Sequence, residues 1–207
     1  MRDRDLVRLY WPVELRPAFD ALLDIDEALG DVFAKATEPA LAAIKLAWWR
    51  ERLEELDESR APAEPRLRAA ADELLPRGVT GGDLAQLEEG WGGLLHDPPE
   101  AALLTEHGAR LFRLGARLLD VTFDDATIGL IGGLYVSVAA ARRGMLRLDR
   151  KSDGPGRVKI GRRARPLTAL AALAVRDLHQ GGPPFEPEAT PGRAWTLFRH
   201  RLTGRLA

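Results

Sequence analysis

Apolar residues recur along this chain at steps of three and four, interrupted mainly by proline, glycine and capping side chains. That period marks helix faces, whereas half-buried strands alternate at a period of two. A short helix is predicted over residues 3–10, stopping at Pro12. Phe19, Leu22, Leu29, Val32 and Phe33 define a second over about 14–36. Thr37 reads as the N-cap of a third, with Glu38 and Pro39 in its first turn. There Leu41, Ile44 and Trp48 run beside Leu46, Trp49, Leu53 and Leu56, an apolar arc wide enough to be covered on more than one side.

Further helices are predicted over 66–75, over 80–95 with Thr80 and Asp83 as a capping box, and over 97–120 with Leu103, Leu104, Leu111, Leu114 and Leu118 inward. Others follow over 125–148, where Asp124 and Asp125 cap the start, over 166–179 and over 191–202. Alanine and leucine supply most of the apolar positions and β-branched residues are few, which favours helix over strand. The expectation is an all-α bundle of eight or nine helices forming a single domain over 1–207.

Charge divides this domain unevenly. Residues 1–139 carry 26 acidic and 15 basic side chains, whereas residues 140–207 carry five acidic and 15 basic. Either the two ends attract each other across the fold, or the basic third faces a membrane surface or a protein partner. No aromatic residues interleave with the basic ones as a nucleic-acid platform requires, so no nucleic-acid partner is expected. The chain has no cysteine, which excludes disulfides, thiolate metal sites and cysteine nucleophiles and suits a reducing cytoplasm. Its start has no apolar signal segment, so a cytoplasmic location, at most peripheral to a membrane, is expected.

Four histidines lie without HxxxH or HExxH pairing, which makes packing or solvated roles the expectation. Candidate chemistry therefore rests on carboxylates. Asp24, Glu27 and Asp31 share one stripe of the second helix. Such a ladder can hold Mg²⁺ against a diphosphate, because Mg²⁺ combines few carboxylates with phosphate oxygens; it can equally be a solvated face. Asp149 and Asp153 are also four apart, near Arg157 and two glycines, as a second acid pair or a charged loop. Gly129, Gly132 and Gly133 lack the spacing of a nucleotide loop and read as points of close helix approach or a cavity lining. Trp48 and Trp49 read as core packing or as the edge of a pocket.

The segments LVRLYWP, PAFDALLDIDEALGDV and EPALAAIKLAWWR, in that order, resemble the squalene/phytoene synthase family over about residues 5–140. The resemblance implies an isoprenoid-synthase-like bundle around a central cavity, with two acidic helices that use Mg²⁺ to condense isoprenyl diphosphates. The family's first acidic motif, laid on this chain, keeps only Asp31 as a metal candidate; a shifted frame recruits Asp24 and Glu27. Its second motif is echoed by Arg147, Asp149, Asp153 and Arg157, and residues 149–207 diverge.

Three readings follow. One is a catalytically degenerate relative, needing no metal, that binds a prenyl or lipid-like ligand or serves respiratory-complex assembly, as one branch of that family does. Another is an active Mg²⁺-dependent prenyltransferase acting on a prenyl diphosphate in terpenoid biosynthesis. The last is a helical protein-interaction module.

Overall fold

The computed structural model describes residues 1–59, 62–96, 100–148 and 158–206. The protein is all-α: among the described residues there is no β-strand, only an isolated antiparallel bridge between Lys159 and Arg205. The helices are α1 (Asp3–Arg8), α2 (Arg16–Ala34), α3 (Pro39–Glu54), α4 (Pro65–Glu73), α5 (Gly81–Ala85), α6 (Glu88–Gly92), α7 (Ala101–Leu118), α8 (Asp125–Arg142), α9 (Arg165–His179) and α10 (Pro191–Thr203).

Several boundaries differ from expectation for local reasons. Glu38, not Thr37, stands at the N-cap of α3, because Pro39 with its fixed φ takes the first helical position. The stretch expected as one helix over 80–95 divides into α5, α6 and a 3₁₀ turn, and Gly90, Gly92 and Gly93 supply little helix propensity there. α8 stops at Arg142, short of residue 148, and Gly144 follows with φ of 76°. Two predicted caps form: Thr80 and Asp83 bond reciprocally, and Asp124 accepts from the Thr127 amide at 2.8 Å.

α9 is the central helix. Its run Leu167–Val175 is buried throughout, flanked by α8 and α10 and touched by α1 and α7. A helix apolar on all sides has no stable place except inside, and each fully buried leucine there contributes roughly 1.5–3 kcal/mol. α2 is the second buried element and leans on α3, α4 and α6.

α7 and α8 meet backbone to backbone. A Cβ on Gly108 would lie 2.2 Å from the Gly132 carbonyl oxygen, and one on Gly132 would lie 2.1 Å from that of Gly108. Gly133 is likewise pressed against Thr105, whereas Gly129 faces open space. Close approach explains two of the three glycines singled out from sequence. The tryptophan pair divides: Trp49 enters the core, while Trp48 is 43% exposed.

Candidate functional site

α1, α2, α8 and α9 enclose a half-open cavity of about 310 Å³. That volume lies at the lower end of what small-molecule pockets occupy, roughly 300–1,000 Å³. Its apolar wall comes from Leu23 on α2, Val138 on α8, and Leu170, Leu173 and Ala174 on α9. Its polar rim and floor mix carboxylates and guanidiniums from α1, α2, the end of α8, α9, α10 and the segment before α10.

The α2 ladder does reach this cavity, but in company. Asp24 is 2.6 Å from Arg4, and Glu27 is 3.2 Å from Arg2 and 3.5 Å from Arg4. Asp20, one turn earlier, accepts from Arg8 at 2.6 Å. Asp31 is held by Lys35 at 2.7 Å through one oxygen and by Arg143 through the other. Both Asp31 oxygens are thus occupied by cations. Glu27 and Asp31 line the cavity; Asp24 lies beside it, turned to Arg4. Among the described residues, no group of three or more carboxylates and histidines is arranged to hold a metal. Asp149, Asp153 and Arg157 lie outside the described residues.

The opposite wall is a buried ion web. Arg193 on α10, 2% exposed, holds Asp3 of α1 at 2.7 Å and also pairs with Asp177 of α9. Arg142 donates to the second oxygen of Asp177 at 3.0 Å and to the Glu186 carbonyl at 2.7 Å. Burial works against the charge of Arg193, yet its bonds to Asp177 and Asp3 overcome this and push its pKa upward. Arg176 at 2.8 Å, with the Thr190 hydroxyl, pulls the nearby Glu186 carboxyl down to about 2. The predicted attraction between the acidic and basic ends is realised in part, through Asp3–Arg193 and Asp31–Arg143.

Asp26 belongs to the acid ladder read from the sequence but lies off its candidate stripe, and its role is one that the sequence reading did not assign. Its carboxylate accepts from Trp91 Nε1 at 3.0 Å and meets His107 Nε2 at 2.7 Å, while His107 Nδ1 donates to the Leu87 carbonyl at 2.9 Å. Oxygen atoms facing both ring nitrogens fix the orientation of the imidazole between α2 and the Leu87 carbonyl. Gly90 makes this possible: a Cβ there would lie 2.1 Å from His107 Cβ, so only glycine lets α6 approach α7 closely enough. A signal for Asp26 did exist, because it falls among Leu22, Ile25 and Leu29 on the apolar face of α2, where an unpaired carboxylate is too costly to bury.

Tyr135 on α8 also lines the cavity, and its hydroxyl has no hydrogen-bond partner among the described residues. Burial, reinforced by the charge of Asp26, pushes its pKa up, so the phenol stays protonated as a donor. Arg143 completes this side of the rim, its guanidinium 5.9 Å from the Trp91 ring centroid.

The arrangement offers an apolar wall, one free phenolic donor and a rim of exchangeable arginine–carboxylate pairs. No family model, curated protein or solved structure matches this chain.

Proposed function

We propose that this protein is a non-catalytic pocket protein of squalene/phytoene synthase type, which holds a prenyl or lipid-like chain without metal. The observation that carries this reading is the neutralisation of the α2 ladder. Asp24, Glu27 and Asp31, the side chains that would grip magnesium in an active enzyme, are each paired with arginine or lysine. A carboxylate already bridged by guanidiniums gives Mg²⁺ few ligands, and Mg²⁺ also requires near-ideal octahedral oxygens.

Ionising a diphosphate takes several metal-held carboxylates to offset the departing charge. Without them, the same cavity favours binding over turnover. The chain would lie on Leu23, Val138, Leu170 and Leu173, and its polar head would meet the rim. There the Arg2–Glu27 pair is exposed, and surface pairs are worth only about 0–1 kcal/mol. An anionic head can therefore take Arg2 and Arg143 from their carboxylates at small cost. The output of such a protein is a protein or membrane contact, as in the respiratory-complex assembly branch the sequence resembles.

The test is binding of farnesyl diphosphate by calorimetry with Mg²⁺ and again with EDTA, using wild type and Asp31→Ala. Expected is metal-independent binding that Asp31→Ala leaves equal or tightens, because the substitution frees Arg143. Mg²⁺-dependent turnover of farnesyl or geranylgeranyl diphosphate would overturn the reading and restore the prenyltransferase.

A further inference from the structure

α10 turns an unusual face outward. Trp195, Phe198 and Leu202 are 63%, 46% and 62% exposed, and at spacings of three and four they share one side of the helix. The Trp195 and Phe198 rings touch, with centroids 5.5 Å apart. The opposite side, carrying Arg193, Thr196, Leu197 and His200, is buried against the body. At 100° per residue, Arg199 and Arg201 flank the apolar stripe on its two sides. Residues 191–207 contain no aspartate or glutamate.

The cations around this stripe differ from those at the cavity. Arg165 donates to the carbonyls of Arg201 and Leu202, which brings its exposed neighbours Arg162 and Arg163 to the end of α10. The bridge between Lys159 and Arg205 adds two more exposed cations there. Lys159, Arg162, Arg163, Arg199, Arg201 and Arg205 have no ion-pair partner among the described residues, whereas arginines at the cavity are bound to carboxylates. Arg201 instead lies 4.9 Å from the Tyr10 ring centroid.

We infer that α10 is an interfacial helix that docks this protein on a bilayer carrying anionic lipids. An apolar aromatic stripe bordered by unpaired basic residues is what inserts into the headgroup region while its cations meet lipid phosphates. The inference is independent of what the cavity holds. α3 supplies the contrast: Leu41, Ile44 and Trp48 are exposed at the same spacing, but among Glu38, Lys45 and Glu51, a mixed set without the all-basic border of α10.

The test is co-sedimentation of the full chain with phosphatidylcholine vesicles, with and without phosphatidylglycerol. The variants are Trp195→Ser/Phe198→Ser/Leu202→Ser, Arg199→Glu/Arg205→Glu and, as control, Leu41→Ser/Ile44→Ser/Trp48→Ser. Each is first checked for native helicity and unfolding midpoint, and exposed positions are chosen so that the fold survives. Wild type should bind the anionic vesicles and release them at high salt. Either α10 variant should bind on the order of tenfold more weakly, and the α3 variant should match wild type. Equal loss in the α3 variant, retention by both α10 variants, or binding that ignores lipid charge overturns the proposal. So does failure to bind vesicles combined with concentration-dependent self-association that the α10 variant abolishes, which would make the stripe a protein interface.

Discussion

The cavity has two charged walls that use the same chemistry to different ends. On the α2 side, Asp24, Glu27 and Asp31 meet Arg4, Arg2 and Arg143 near solvent, with the Asp24 side chain 40% exposed. On the α9–α10 side, Arg193 and Asp177 pair almost out of reach of water, their side chains 2% and 1% exposed. Water screens the first set, so its pairs can trade partners with a ligand. The second set cannot trade, because a buried charge left alone has no substitute for its counter-ion. One wall is a solvent-facing rim and the other a clasp that ties α1, α9 and α10 together.

Breaking the clasp should have the largest effect. Arg193→Ala leaves Asp3 without its cation and Asp177 with Arg142 alone, and is expected to destabilise by about 3–5 kcal/mol in urea unfolding. A loss below that of a surface pair would mean the web is wet and the contrast false. Asp26→Ala comes next: it removes the acceptor shared by Trp91 and His107 and should cost about 1–3 kcal/mol. The far smaller response is expected on the rim, where Glu27→Gln should stay within about 1 kcal/mol and change little in high salt. If Glu27→Gln matched Arg193→Ala, burial would not be what separates the walls.

Acid sharpens the comparison at its smallest scale. Glu186 has a folded pKa of about 2, below its ordinary value of 4.5. The folded state thus holds the carboxylate more firmly than the unfolded chain does. Its contribution is complete above 4.5 and disappears as pH falls from 4.5 toward 2. Glu186→Gln should flatten that part of an acid-unfolding profile and lower stability at neutral pH by the same contribution, with no change of slope there. His200 shifts the opposite kind of group: burial lowers its pKa, while its ring bonds Thr168 and the Arg205 carbonyl. Because the unfolded chain then binds the proton more readily, stability should fall as pH drops through and below 6.5, and His200→Gln should remove that slope.

Much of this architecture was readable in one dimension because its causes are local. The Thr80–Asp83 box and the Asp124 cap span three residues each, and the run after Leu167 is apolar on every side. Helix ends were less legible where glycine weakened propensity without abolishing it, as between Thr80 and Leu95. The acid ladder was found, but its partners were not: Arg143 reaches Asp31 from 112 positions away, and His107 reaches Asp26 from 81. No periodicity links such pairs.

The amino-acid order by itself therefore settled the helical class, the caps at Thr80 and Asp124 and the separation of acidic from basic halves, and it offered close helix approach as one of two readings of Gly132. Each follows from neighbours along the chain or from composition. Only the folded arrangement decided which carboxylates are free, because a charge is neutralised by whatever cation packing brings within a few ångströms. Packing also decided which apolar stripes stay uncovered: the stripe on α10 and the arc on α3 have the same spacing, and only their surroundings tell them apart.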